Sequence, residues 1–322
     1  MRAHGTAVLL LSALLCAQEQ EAAQAPAAVP RPDAPALGID LRAPAKVVPL
    51  PPALREVSAL QALDDQRVAC LQDEKGTLYE VDLATGALLG SRAFGPKGDY
   101  EGLTCTAEHW YALRSDGVLL RFPRQPGLLS RTEAFELSLP QKDCEALAAD
   151  RDGTRLLVAP KARPEGDKEA RDVRRVHAWD VATRELAVEP AWTLSVASLL
   201  EQAVAKGFAT PTKKVKGGRK KDAEGAVPES REVPHLQLTI SEIAVHPATG
   251  DLWILSSADK ALVVVDRKGD LVHLHLFDHD LLPQPEALAF LPCGDLVVAS
   301  EGKDAAAVVV RYARLVPKAA AK

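Results

Sequence analysis

A five-fold internal repeat constrains this chain more than any other feature. Three segments display it best. Glu101-Gly102-Leu103 leads to Trp110-Tyr111-Ala112-Leu113, then Ser115-Asp116-Gly117, then Val118 to Phe122. Ser241-Glu242-Ile243 leads through His246-Pro247 to Asp251 to Leu255, then Ser256-Ser257, then Ala261 to Asp266. Glu286-Ala287-Leu288 leads through Leu291-Pro292 to Asp295 to Ala299, then Ser300-Glu301-Gly302, then Val308 to Tyr312. The two X-Pro pairs align and fix the register of the last two repeats. In that register the repeats begin at Ser58, Glu101, Glu145, Ser241 and Glu286, at separations of 43, 44, 96 and 45 residues. Three of these match the period of about 40–50 residues expected of a four-stranded propeller blade. The short apolar runs, rich in β-branched residues and broken by Asp-Gly, Lys-Gly and Thr-Gly pairs, read as strands and turns.

The chain therefore reads as all-β: a five-bladed β-propeller of four-stranded blades over residues 46–315, with one helical and basic insertion. The long separation locates that insertion at about 195–234. Ser195 to Gly207 has helical spacing, and Thr212 to Asp222 carries six basic residues and two glycines. Such a Gly-broken run reads as a solvated loop or as a patch for an anionic surface. Residues 46–50, ahead of the first repeat, read as an extra strand that completes the last blade, since an unclosed ring would leave raw strand edges. Residues 316–322 are a tail.

The N-terminus reads as a leader. Ala7 to Cys16 is apolar, follows Arg2 and His4, and is too short to span a bilayer. The expectation is a signal peptide over 1–17, cut near Ala17, and an exported protein, periplasmic or extracellular. Lipid anchoring at Cys16 is the other reading, opposed by Leu15 where a small residue is expected. An Ala/Pro-rich tether follows over 18–45. No later run is long and apolar enough for a transmembrane helix. Four cysteines remain, Cys70, Cys105, Cys144 and Cys293, with no zinc spacing. Export permits disulfides; small buried hydrophobes are the plainer reading.

Composition narrows the partners. A net charge of -5 gives no electrostatic reason to expect nucleic acid, and aromatics at 4% are too few for a stacking platform. There is no Asn, so N-glycosylation is excluded and a hard-cation site must draw on Asp, Glu, carbonyls or water. Nucleophile elbows, zincin motifs and phosphate loops are absent.

What remains is the ring. Antiparallel pairing puts the start of each first strand and the loop between the second and third strands on one face. Glu101, Glu145 and Glu286 then converge at one mouth of the channel, with Ser58 and Ser241 in the other two places. Asp73, Asp116, Ser256, Lys260, Glu301, Lys161 and Lys303 rim that mouth. Converging carboxylates must either take up protons or bind a cation, and Ca²⁺ suits an oxygen-only site. The alternative is that each Glu caps amides of the next blade and holds the ring shut. His273, His275 and His279 read as the outward face of an outer strand, with a metal site as the rarer option.

The runs Asp99 to Leu103, Arg114 to Leu119, Ile243 to Pro247, Trp253 to Ser257 and Gln284 to Leu288 resemble the SdiA-regulated, YjiK-like family. The resemblance covers most of residues 53–312 apart from the insertion. It implies an exported five-bladed propeller, distantly related to NHL-type repeats, with a calcium site. The family's recurrent Glu carries over to Glu101, Glu145 and Glu286. The chain departs from the pattern by its insertion and by Ala146 and Ala287 where Gly is commoner. That family has no settled biochemical activity; the Glu ring without a nucleophile or base pair points instead to a non-enzymatic, monomeric binding module for a protein or small ligand at the cell envelope. The chain is also similar, less specifically, to phytase-like, esterase-like propellers. These imply a calcium-dependent phosphoester hydrolase with Lys161, Lys260 and Lys303 meeting the phosphate.

Overall fold

Each repeat folds into one four-stranded antiparallel sheet, and the five sheets stand as blades around a ring. The computed structural model describes residues 37–125, 132–141, 143–161, 168–216, 230–302 and 305–315. Residues 1–36, which hold the expected leader and most of the expected tether, lie outside the described residues, as do Lys303 and the 316–322 tail. Strand β1 (Lys46–Pro49) precedes the repeats. Blade 1 comprises β2 (Val57–Ala62), β3 (Arg67–Gln72), β4 (Lys75–Asp82) and β5 (Leu88–Lys97). Blade 2 comprises β6 (Tyr100–Cys105), β7 (His109–Arg114), β8 (Val118–Pro123) and β9 (Glu133–Glu136). Blade 3 comprises β10 (Cys144–Ala149), β11 (Arg155–Pro160), β12 (Val173–Asp180) and β13 (Trp192–Ser195), with a short helix α1 (Lys168–Asp172) before β12.

The insertion follows as α2 (Val196–Ala205) and a two-stranded ribbon of β14 (Thr212–Lys216) and β15 (Ser230–Pro234). Blade 4 comprises β16 (Ile240–Val245), β17 (Leu252–Ser256), β18 (Ala261–Val265) and β19 (Leu271–Leu276). Blade 5 comprises β20 (Pro285–Phe290), β21 (Leu296–Ser300) and β22 (Val308–Tyr312). Its fourth strand is β1, antiparallel to β22 with Val47 opposite Val310. The ring is thus closed by pairing the two ends of the repeat region, which removes two strand edges that would otherwise be raw.

The first strands of the five blades, β2, β6, β10, β16 and β20, lie side by side around the axis, and β20 meets β2. The hydrophobic core is divided accordingly into five clusters, one between each pair of neighbouring blades. Ala59, Phe94 and Leu103 join blades 1 and 2; Tyr111, Leu147 and Trp179 join 2 and 3; Ala146, Val176 and Ile243 join 3 and 4. Trp253, Leu288 and Val310 join 4 and 5; Leu60, Tyr79 and Val309 join 5 and 1. Strands β17 and β18 are buried along their whole length, as sheets covered on both faces require, and read as unbroken apolar runs.

Outer turns are set by short polar caps. In Asp82-Leu83-Ala84-Thr85-Gly86 the Asp82 carboxylate accepts from the Ala84 and Thr85 amides, and Asp180 does the same for Ala182 and Thr183. Part of the basic run is a strand, not loop: β14 pairs with β15, while 217–229 lie outside the described residues. Helix α2 is capped by Ser195, whose hydroxyl accepts from the Ser198 amide. It buries Val196, Leu199 and Ala203 on the cluster between blades 3 and 4. At the other end of the described chain, Ile39 and Leu41 are buried between blades 4 and 5, and Ile39 pairs with Arg314. All four described cysteines are free thiols. Burial pushes the Cys70 thiol up to about 12, as for an inert core residue.

Candidate functional site

The five repeat-initial residues share one backbone feature. In every blade the pairing of the first and second strands skips one residue, and the skipped residue is Ser58, Glu101, Glu145, Ser241 or Glu286. A β-bulge re-aims the extra residue out of the pleat. These five side chains therefore leave the ladder at the same height, at one mouth of the channel.

The two serines are buried and bond forward to the next blade. The Ser58 hydroxyl donates to the Tyr100 carbonyl at 2.6 Å, and Ser241 donates to the Pro285 carbonyl at 3.0 Å. Tyr100 and Pro285 are the residues just before Glu101 and Glu286, so the two bonds are equivalent latches. The glutamates are different. Glu145 and Glu286 are 4% and 7% exposed and Glu101 is part-buried. Burial is the main cause that raises the pKa of all three. Glu145 also pushes up Glu101, and Glu286 pushes up Glu145.

One cation stands among them. The Lys161 ammonium lies 3.0 Å from Glu145 Oε2, with its side chain 33% exposed. Burial opposes the charge on Lys161, but Glu145, Glu286 and Glu101 outweigh that and hold it firmly protonated. Lys260 acts on Glu286 more weakly and donates to the Ser257 carbonyl. Of the three lysines expected at the rim, Lys161 pairs with a ring glutamate and Lys260 bears on the ring only through its charge; Lys303 lies outside the described residues.

A fourth glutamate was not singled out from the sequence. Glu242 follows the bulge of blade 4, where the other blades have Ala59, Gly102, Ala146 and Ala287. It is 1% exposed, and its Oε1 accepts from the amides of Leu147 at 3.1 Å and Ile243 at 2.9 Å. Its Oε2 has no hydrogen-bond partner. Burial raises its pKa well above the carboxylate range, and Glu145 and Glu286 raise it further. The signal was present as the one large acidic residue at a position otherwise held by Ala or Gly.

The rest of the expected rim divides. Glu301 belongs to the site: burial, then Glu286, Asp73 and Glu56, push its pKa up to about 7. Asp73 is raised by burial and by Glu56, and accepts from the Gln72 side chain. Asp116 is exposed and turned to Arg114 at 2.5 Å. The Ser256 hydroxyl donates to Asp259 at 2.6 Å, and Asp259 accepts from the Gln237 and Leu238 amides, so this pair anchors the segment leading into blade 4. His273 and His275 lie on one face of β19 against Phe208 and Phe277, and burial lowers both. Among the described residues, no three His, Cys, Asp or Glu side chains stand together as a ready-made metal cage.

Two cavities bear on the choice of site. The channel behind the ring has a volume of about 330 Å³ and is lined by the first strands of all five blades, with Leu60, Leu103, Leu147, Glu242 and Leu288 on its wall. A larger cavity, about 760 Å³, lies at the insertion between Val173, Val196, Leu200 and Leu236, beside Arg171 and Asp172. Asp172 there is committed to the start of α2, accepting from Ser195 and Ala197.

No family model and no curated protein matches the chain. Its fold is similar to that of glutaminyl cyclase from Myxococcus xanthus, with a TM-score of 0.52 and 12% identity over 84% of this chain and 95% of that one. It is also similar to hydrazine synthase from Kuenenia stuttgartiensis, with a TM-score of 0.45 and 12% identity over 81% and 96%. At such identity the likeness to the cyclase speaks to the propeller fold and not to a reaction. No helix among the described residues is long and apolar enough to cross a membrane.

Proposed function

We propose that this propeller is a non-enzymatic binding module of the cell envelope whose acidic mouth receives a cation, Ca²⁺ in the first instance. The observation that carries the reading is the convergence of three bulge glutamates on one mouth with a lysine ammonium already among them. Burial first, and repulsion between neighbouring carboxylates after it, disfavours their charged form, and a bound divalent cation would favour it. The donor set fits Ca²⁺: Glu101, Glu145 and Glu286 supply hard carboxylate oxygens, and Glu242 Oε2 is a buried acceptor without a partner. No His or Cys is involved. The leader-like 7–16 run supports export, and the resemblance to the SdiA-regulated, YjiK-like family supports both export and calcium. A bound ion would join three blades at one mouth and present the surrounding loops to a protein or small ligand.

One observation favours a second reading, a calcium-dependent phosphoester hydrolase: Lys161 and Lys260 bring positive charge to the ring, as a phosphate site requires. Against it, Lys161 is paired with Glu145, and Lys260 donates to a backbone carbonyl. The test is calorimetric Ca²⁺ titration of the full chain beside the Glu101→Gln, Glu145→Gln, Glu286→Gln triple variant. The expected result is binding by the parent, lost in the variant. No binding by the parent, or equal binding by both, overturns the metal site. Calcium-dependent turnover of p-nitrophenyl phosphoesters, lost in the variant, overturns the non-enzymatic reading in favour of the second.

A further inference from the structure

We propose that the β14–β15 ribbon of the insertion is a contact surface for an anionic phospholipid bilayer. This inference makes no use of the cation site and adds where on the molecule a membrane surface is met.

The ribbon stands apart from the ring. β14 and β15 pair with each other and join no blade. Its base is firm: the His235 amide donates to the Pro211 carbonyl at 2.8 Å, and Leu236 and Leu238 are buried in the cluster between blades 3 and 4. Beyond that base, residues 212–215 and 230–232 are exposed. A two-stranded ribbon is marginally stable on its own in water, so one held out from the body gains from a surface to lie against.

The register defines its two faces. Opposed residues of an antiparallel pair share a side, so Lys213 opposite Val233 and Val215 opposite Arg231 make one face. Thr212, Lys214 and Glu232 lie on the other, where the Thr212 hydroxyl donates to Glu232 Oε2 at 3.1 Å. The first face carries two bases, two valines and no acid. Val215 on it is 36% exposed.

The positive charge here is not neutralised internally. On the blades, Arg67, Arg114, Arg121, Arg155 and Arg311 each hold a carboxylate at 2.5–2.7 Å. Among the described residues, no carboxylate pairs with Lys213, Lys214 or Arg231. In a chain of net charge -5 the ribbon is a local reversal of sign. Basic groups gain from the negative potential of an anionic bilayer, and apolar side chains beside them enter the headgroup boundary. A soluble polyanion would meet the bases but give the valines nothing to enter, so a bilayer fits this face better.

Vesicle flotation of the full chain, in EDTA, tests the assignment. Phosphatidylcholine vesicles are run beside vesicles of equimolar phosphatidylcholine and phosphatidylglycerol. Binding is expected to the anionic vesicles only, and it should weaken as salt is raised. The variant Lys213→Gln, Lys214→Gln, Arg231→Gln should bind about 100-fold more weakly, at roughly five-fold per base, with Tm unchanged as exposed positions imply. Val215→Ser should bind about two- to five-fold more weakly than the parent. The inference fails if the parent does not bind anionic vesicles, or binds both kinds alike. It also fails if the triple variant binds as the parent does. Undiminished binding by Val215→Ser would mean that charge alone is read, and would replace the bilayer with a soluble anionic polymer. None of these outcomes touches the calcium reading, because no free divalent ion is present.

Discussion

Ser58 and Ser241 occupy the same bulge as Glu101, Glu145 and Glu286, one residue into the first strand of their blades. The backbone is the same in all five, yet the outcomes differ. A hydroxyl on one carbon is short: Ser58 and Ser241 meet the next blade's carbonyl at 2.6 and 3.0 Å, and Ser241 also lies 3.4 Å from its own blade's Leu255 carbonyl and bonds the Glu286 side chain. A carboxylate two carbons longer passes the carbonyl and enters the mouth, where it meets others of its kind. Position in the repeat sets where a side chain leaves the sheet; its length and charge decide whether it joins blades or makes a site. The serines latch neighbouring blades, and the glutamates are the residues on which the proposed cation site draws.

The comparison is best broken by removing charge without removing shape. Glu101→Gln with Glu286→Gln leaves the Glu145–Lys161 pair intact, and cation affinity should fall at least 100-fold. The same variant should change the pH dependence. Carboxyls whose folded pKa is raised bind more protons folded than unfolded, so stability falls as pH rises from about 4.5, the ordinary Glu value, through about 7 for Glu301 and beyond for the ring. Thermal denaturation of the parent between pH 5 and 8 without divalent ions should show Tm falling. The double variant should show a shallower slope and should be the more stable of the two at pH 8, by about 1–3 kcal/mol. A parent that gains stability over that range would contradict the buried-carboxylate account.

Glu242 gives the next largest effect. Glu242→Ala strips the acceptor from the Leu147 and Ile243 amides and should cost about 2–3 kcal/mol in urea unfolding. Glu242→Gln retains an acceptor without the charge and should lie within about 1 kcal/mol of the parent. At the equivalent place in blade 2, a Cβ on Gly102 would meet Leu147 Cβ at 2.6 Å and Leu147 N at 3.1 Å. Gly102→Ala should therefore cost about 1–3 kcal/mol, although Ala59, Ala146 and Ala287 are accommodated in their own blades. The smallest effect belongs to the latches. Ser58→Ala or Ser241→Ala should cost about 1 kcal/mol each, seen as a Tm lower by roughly 2–4 °C, with cation affinity unchanged. A large loss of affinity in either serine variant would erase the distinction between latch and site.

Much of this was legible because a propeller repeats. The alignment of His246-Pro247 with Leu291-Pro292 fixed the register of the last two repeats and so guided the choice of all five repeat-initial residues, and residues 46–50 were readable as the closing strand because an open ring is costly. Helical spacing in Ser195 to Gly207 likewise became α2. What was not legible depends on side chains meeting across blades. Lys161 sits in a loop after β11, and nothing in its neighbours shows that its ammonium turns inward to Glu145. Ser256 looks like a rim residue in the repeat but donates to Asp259, which holds the Gln237 and Leu238 amides, because the insertion must be led back into blade 4 there. Glu242 departed visibly from the pattern. Its meaning, two accepted amide bonds and one unused oxygen, needed the blade 3 backbone beside it.

The central claim is that three bulge glutamates form one cation site. The most direct measurement is a crystal structure of the protein grown with CaCl₂, with anomalous data to locate the ion. The account predicts one Ca²⁺ at the mouth within about 2.3–2.6 Å of carboxylate oxygens from Glu101, Glu145 and Glu286. No ion at the mouth at saturating calcium would contradict it.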